Sequence, residues 1–355
     1  MVFSAAVLFA YNTFQDNLGT VQAPDPVVPS WSILPVTWYL NAATPSKNVI
    51  MTGCSVGDLS GCIQQSLANA FATWVGAKVA GQSLTDLNVS YGGASSLTTP
   101  DSSDCQNVIG FSDSASDFST GTIAFTQVAT VTLPAGGSVP FQYACSGGAN
   151  QTCYLTDCIA DADIEFNPNE TFYTNTAPSS GTAFSLQSVA THEEGHLLGM
   201  DHSGIGHAVM FPFGDTSLAG QQLSLTTDDD IGISYLYPCT SPSGSSNCTA
   251  DFSSSTGVIS GTVTLNGAGA FAAHVVVINA NTGNVVTDRL TSPDGTYKLV
   301  GVPPGSYHVL VLPLAPNDSS GIVSLGDFSG WECGYADSSC TTVPENPTNY
   351  TGRYY

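Results

Sequence analysis

The chain has 355 residues, enough for two domains, one of them with a sizeable core. Only 5 Lys or Arg stand against 28 Asp or Glu, a formal net charge of −23, and a field of that sign disfavours nucleic acid and anionic membrane surfaces as partners. No apolar run approaches the ~18 residues of a membrane span, and ten cysteines without a CxxC pair point to disulfides in an oxidising compartment rather than to cysteine-held metal.

Residues 1–30 read as an irregular lead-in. Met1 to Ala10 is apolar but short and has no basic residue before it, as in a remnant or truncated start of a signal or propeptide. Trp31 to Asn41 carries Val36, Trp38 and Leu40 in alternation, a strand pattern. From Ser60 to Val79, Ile63, Leu67, Phe71 and Trp74 recur at helical spacing, so an amphipathic helix is expected, its stripe serving as core rather than as a binding face. Leu87 to Tyr91, Val108 to Ser112, Thr122 to Leu133 and Asp163 to Phe166 follow as strands. Ala135 to Ala160 looks like an insertion, a disulfide-stapled surface loop in preference to a cleft rim. Cys54 and Cys62, Cys239 and Cys248, and Cys333 and Cys340 are close enough to close local loops. The remaining four cysteines allow three connectivities, of which Cys153–Cys158 with Cys105–Cys145 is favoured.

Ser185 can cap a helix running to Leu198, and this helix carries the chemistry. His192 and His196 lie one turn apart on one face, able to share a metal, with Glu193 beside them to handle a proton. Gly199 permits a sharp exit that returns His202 as a third nitrogen. Three histidines without a fourth protein ligand describe an open, catalytic zinc site holding one Zn2+. Met210 follows in Met-Phe-Pro, completing the zincin signature that ends in a Met-turn; it would floor the site and bind no metal. Glu194 should lie exposed or find a hydrogen-bond partner, and His207 should face solvent. Phe213 to Leu225 should loop around a substrate pocket. Thr227 and Asp230 suggest a capping box for a last helix ending before Pro238.

Residues 239–256, rich in Ser, Gly and Thr, read as a linker with one disulfide loop. Between 257 and 314, short strands are parted by Asn-Gly, Thr-Gly, Asp-Gly and Pro-Pro-Gly turns, the pattern of a small antiparallel β-sandwich. His274 and His308 alternate with apolar strand residues and are read as structural. Residues 315–355 form a loop-rich tail. Every proposed catalytic residue precedes 239, so the chain from 257 onward is expected to be dispensable for the chemistry.

His192 to Ser203 and Ala208-Val209-Met210-Phe211-Pro212 resemble the matrixin branch of the metzincins. Ser188-Val189-Ala190-Thr191, Leu225 to Tyr237, Asn107-Val108-Ile109, Gly121-Thr122-Ile123-Ala124-Phe125 and Ala162 to Asn167 extend the likeness over residues 31–238. The resemblance implies an α+β metzincin fold: a twisted mixed sheet with about three helices and a zinc cleft. It also implies that the Thr122 strand is the sheet edge, where Thr122, Ile123, Ala124 and Phe125 meet an extended peptide substrate. Many matrixins hold a second, structural zinc through histidines, but no histidine precedes His192 here and Phe125 stands where a ligand would be expected. Calcium on Asp113, Asp117, Asp157 or Asp161 stays open against the alternative that these are solvated loop carboxylates. Gly257 to Val263 and Asp294 to Tyr307 resemble a carboxypeptidase-regulatory-like domain.

The function expected is therefore that of a secreted, monomeric zinc endopeptidase acting on protein or peptide, with Glu193 as general base. The rival is a surface binding or adhesion protein with a degenerate protease domain. The intact His192, Glu193, His196 and His202 argue against it.

Overall fold

The computed structural model describes residues 5–6, 29–41, 49–52, 58–97, 101, 103–111, 118, 121–134, 136–146, 148–175, 177, 182–214, 222–240, 247–315, 323–328 and 352–354. Its N-terminal part is a mixed sheet backed by two helices. The strands in chain order are β1 (Ala5–Ala6), β2 (Val36–Asn41), β3 (Val49–Thr52), β4 (Val89–Ser95), β5 (Asn107–Phe111), β6 (Ala124–Thr132), β7 (Phe141–Ala144), β8 (Asn150–Cys153), β9 (Asp157–Phe166), β10 (Phe172–Asn175) and β11 (Phe184–Ser185). Six of them form the main sheet in the order β1-β6-β9-β5-β2-β4. β9 is buried along all ten residues because it has neighbours on both edges and layers on both faces. Each expected strand is present, with ends shifted by a few residues.

Helix α1 (Leu59–Val75) starts where the Asp58 side chain accepts a hydrogen bond from Gly61 N at 2.7 Å. It buries Ile63, Leu67, Phe71 and Trp74, as their spacing predicts. Trp38 of β2 stacks on Phe71 with ring centroids 5.4 Å apart. On its far side α1 packs against α2 (Leu186–Leu197), and Trp74 Nε1 donates to Thr191 O at 2.8 Å, tying helix to helix through the core.

β6 is not a bare edge. Ala5 and Ala6 pair antiparallel with Ala129 and Val128, since the unpaired groups of an outer strand readily accept another extended segment. Among the described residues, Ala124 to Gln127 keeps one side without a strand partner.

The 135–160 segment is a hairpin of β7 and β8 stapled by Cys105–Cys145 and Cys153–Cys158, the favoured connectivity, with Val131, Tyr143 and Ala160 in a small core of its own. Cys62 is disulfide-bonded; Cys54, Cys333 and Cys340 lie outside the described residues.

α3 (Thr227–Leu236) closes the first part. Its N-cap is Thr226, one residue earlier than expected, and Asp229 rather than Asp230 reaches back, accepting from Thr226 N at 2.8 Å. Asp230 is occupied elsewhere, accepting from Lys78 N at 2.8 Å.

The described residues 239–240 and 247–256 pack back on the first part. Cys239–Cys248 closes a loop, Thr249 N donates to Ser83 O, and Phe252, buried at the start of α4 (Phe252–Ser255), joins the main core. β12 (Gly257–Thr262), β13 (Thr264–Leu265), β14 (Ala268–Gly269), β15 (His274–Asn279), β16 (Val285–Leu290), β17 (Thr296–Val302), β18 (Tyr307–Leu312) and β19 (Arg353–Tyr354) follow. β12 pairs with β17, β13 with β14, and β16-β15-β18-β19 make a four-stranded sheet. α3 packs on β16 and β17, so Ile231 and Ile233 share one continuous apolar core with Val275, Val277, Leu299 and Val302. Composition could not reveal this docking, because the polar stretch is anchored by a few apolar side chains and by backbone hydrogen bonds.

Candidate metal centre and catalytic cleft

α2 begins where Ser185 Oγ accepts from Ser188 N at 3.2 Å, the expected cap. At its other end Gly199 adopts φ 98°, a left-handed conformation that costs a glycine little. Trp31 Nε1 donates to Leu197 O at 2.8 Å and Tyr237 Oη to Leu198 O at 2.7 Å, satisfying carbonyls that the helix end leaves open.

The exit brings His202 back onto the histidine face. His192 Nε2 lies 3.2 Å from both His196 Nε2 and His202 Nε2. Each ring is fixed from behind: His192 Nδ1 donates to Val209 O at 2.8 Å, His196 Nδ1 to Met200 O at 2.9 Å, and His202 Nδ1 to Asp327 O at 2.8 Å. A carbonyl can only accept, so the proton sits on Nδ1 in all three rings and every Nε2 lone pair is directed at a common point. Burial lowers the pKa of His192 to about 4 and those of His196 and His202 well below the usual value, which keeps the imidazoles neutral.

These residues fit a zinc ion. Tetrahedral bonds of about 2.0–2.1 Å place two nitrogens roughly 3.3 Å apart, close to the spacing observed. Without a cation, three lone pairs so close together repel. Met210 is fully buried, and its backbone O accepts from Ser203 N, next to His202, at 2.8 Å. A Cβ on Gly195 would collide with Met210 Sδ and with the Trp74 ring, so this helix position admits only hydrogen. The Met-turn is itself held by Asp229, whose carboxylate accepts from Val209 N at 2.9 Å and Met210 N at 3.2 Å.

Glu193 is buried beside the triad, and its Oε2 accepts from Thr126 Oγ1 at 2.6 Å. Burial raises its pKa to about 7, the Thr126 hydrogen bond opposing this in part. Glu194 is neither exposed nor hydrogen-bonded: it is 0% exposed, and neither oxygen has a hydrogen-bond partner among the described residues. Desolvation holds its pKa well above the usual carboxylate value, favouring the neutral form. Helix geometry explains the difference, since successive side chains turn about 100° and Glu194 is carried away from the triad into the interior.

A cleft of about 600 Å³ opens over the triad. Thr122, Ile123, Ala124 and Phe125 line one side; Val189, Phe211, Pro212 and Phe213 line another. Gln222 joins them, its Nε2 donating to Phe211 O at 3.0 Å. Gln222 falls within the loop expected around the pocket, whereas sequence reasoning missed Thr126 and Asp327 as lining residues, and no local pattern marks either of them. His207 is exposed, as expected. Residues 215–221 of the expected pocket loop lie outside the described residues.

The calcium expectation finds no support. Asp157 and Asp161 are buried within β9 rather than solvated, and Asp161 Oδ2 accepts from Cys105 N at 2.7 Å. Asp113 and Asp117 lie outside the described residues. Among the described residues, His192, His196 and His202 are the group of three ligand side chains close enough to hold a metal.

Residues 147–238 match the matrixin family model. That matrixin segment contains β9, α2, the three histidines, Glu193, the Met-turn and α3. The chain is also similar to Metalloendoproteinase 2-MMP of Arabidopsis thaliana, 46% identical over 55 residues, which is 16% of this chain and 14% of that protein. Matrilysin of Rattus norvegicus is 43% identical over 77 residues, 21% of this chain and 26% of the relative. Stromelysin-3 of Xenopus laevis is 33% identical over 107 residues, 30% of this chain and 20% of the relative. The chain thus spans only between 14% and 26% of the length of these three relatives.

Proposed function

We propose that this chain is a secreted zinc-dependent endopeptidase in which Glu193 is the general base. The observation that carries the reading is the histidine cradle: His192 Nε2 3.2 Å from each of the other two Nε2 atoms, Nδ1 protons committed to carbonyls, and a buried carboxylate alongside. The matrixin segment and its metalloendoproteinase relatives support it.

His192, His196 and His202 would hold the ion. What zinc supplies when bound is Lewis acidity toward a water and toward the scissile carbonyl. The other steps belong to the protein. Glu193 accepts the proton of the attacking water at a carboxylate oxygen and returns it to the leaving amine. Thr126 aims the carboxylate. The side of Ala124 to Gln127 that has no strand partner among the described residues offers backbone donors and acceptors to an extended peptide, which would lie along Thr122, Ile123, Ala124 and Phe125 as an added strand. Phe211 and Phe213 give the cleft an apolar wall that excludes water from the reacting carbonyl.

The three disulfides among the described residues fit an oxidising, extracellular compartment. We assign the catalytic unit to residues 31–238 and a carboxypeptidase-regulatory-like β-sandwich to 257–314, followed by the 315–355 tail.

The test is hydrolysis of an unfolded protein by the purified chain. Cleavage that a chelator abolishes and one equivalent of zinc restores supports the proposal. Cleavage that persists in chelator, or its absence in zinc-loaded protein, would refute it.

A further inference from the structure

We propose that residues 323–328, between β18 and β19, are a working part of the metal site, with Asp327 as a positioning residue for the ligand His202. The inference rests on the zinc-peptidase reading above and extends it to a part of the chain expected to be dispensable.

The three ligands are not supported alike. His196 and His192 are fixed by carbonyls of Met200 and Val209, 4 and 17 residues away on the matrixin segment itself. His202 depends on the carbonyl of Asp327, 125 residues further along. The ligand most distant from the rigid helix is therefore oriented by the most distant segment.

That segment is built to hold its carbonyl still. Leu325–Phe328 is a 3-10 turn, and Asp327 Oδ2 accepts from Ser324 N at 2.8 Å and from Ser324 Oγ at 2.9 Å. Ala315 N donates to Val323 O at 3.1 Å, tying the turn to the end of the last long strand. Phe328 is fully buried in a cluster with Phe271, Leu290 and Leu314, against which Phe211 and Phe213 of the cleft wall also pack. The C-terminal strands and the loop beyond Met210 thus meet in one apolar cluster.

A second tie grips the same ligand loop. Ser203, next to His202, donates to Asp228 Oδ2 at 2.7 Å, and Gly204 N donates to Asp288 Oδ2 of β16 at 3.0 Å. The loop carrying His202 is held by the C-terminal strands on one side and by Asp327 on the other. An independently folded accessory module would have no need of such contacts.

The test is zinc affinity of the full chain, measured by competition with a chromophoric chelator, together with the d–d spectrum of the cobalt-substituted protein. Loss of an outer partner of a metal-bound histidine weakens metal binding by about 10- to 100-fold. Asp327→Ala, which frees the turn, should lose zinc affinity in that range and alter the cobalt spectrum. Asp327→Asn keeps an acceptor for Ser324 and should restore both. Val277→Ala, a cavity in the main core rather than in the cluster that holds Phe328, should lower stability while leaving affinity and spectrum as in the parent. If Asp327→Ala does not fold, Ser324→Ala removes one of the two donors to the same carboxylate, leaves the backbone donor in place, and should cost about two- to fivefold in affinity. Folded Asp327→Ala with the parent's affinity and spectrum would overturn the inference, as would Val277→Ala losing affinity to the same extent. A parent chain that binds no zinc would instead overturn the function proposed above, so the two failures are distinct.

Discussion

Thr126 Oγ1 donates to Glu193 Oε2 at 2.6 Å, so a residue of β6 holds the carboxylate of α2 that faces the cleft. The same hydroxyl lies 3.1 Å from Glu193 O. One strand residue therefore fixes both the backbone and the side chain of the proposed base. Thr126→Val keeps the shape and removes the donor. A hydrogen bond to a charged group contributes about 1.5–3 kcal/mol, so peptide hydrolysis should fall by roughly 10- to 100-fold with zinc content unchanged. Thr126→Ser should retain most of the rate. Steady-state kinetics with metal analysis on both variants checks it; an unchanged rate in Thr126→Val would remove Thr126 from the account.

Glu194 makes the opposite case, a carboxyl buried at 0% exposure with neither oxygen hydrogen-bonded among the described residues. A buried polar group left unsatisfied costs about 1–3 kcal/mol. Glu194→Leu, similar in length and apolar, should therefore raise the denaturation midpoint at pH 8 and leave zinc binding intact. A variant less stable than the parent would mean that the carboxyl serves a purpose its surroundings do not reveal.

Gly195→Ala should be strongly destabilising. The added Cβ would meet Met210 Sδ and sit 2.7 Å from Trp74 Cζ2, both in the fully buried core. Overpacking of this kind costs about 1–3 kcal/mol, against the gain that alanine ordinarily gives a helix interior. Equilibrium unfolding in urea measures the balance. A net gain in stability would show that the Met-turn yields more readily than its contacts imply.

Asp161 and Asp163 give the fold a pH dependence that is independent of the metal. Burial, then the neighbouring Asp163 charge, raises Asp161 to about 9; burial raises Asp163 to about 7. Both folded values lie above the unfolded carboxylate value of 3.8, so the folded state binds more protons than the unfolded state between them. Their contribution is fully present below about pH 4 and is lost as pH rises through 7 and then 9. Asp161→Asn keeps an acceptor for Cys105 N and removes one titration. Its melting temperature should therefore fall less than the parent's between pH 5 and pH 9. Parallel curves would contradict this assignment.

What the sequence disclosed follows from the range of the interactions. His192, His196, Gly199, His202 and Met210 lie within nineteen positions, and helix periodicity with one glycine turn is enough to bring them together. The stripe of α1 was legible for the same reason. Thr126 and Asp327 act across 67 and 125 residues, and nothing near them in sequence marks the role. Asp157 and Asp161 look like loop carboxylates because acids are rare in central strands; here Asp161 is kept by the Cys105 backbone N–H it accepts from. The 239–256 stretch has the composition of a linker, in which the expected Cys239–Cys248 bridge is present and the burial of Phe252 was not legible. The capping register slipped by one in a Thr-Thr-Asp-Asp-Asp run because Asp229 also serves the Val209 and Met210 backbone.

The most direct measurement compares zinc-loaded parent chain with Glu193→Ala for cleavage of a short unstructured peptide, with zinc counted in both. The account expects one zinc per chain in each protein, since the three imidazoles are untouched, and a rate in Glu193→Ala lower by about 10²–10⁴. Equal rates at equal zinc content would contradict it.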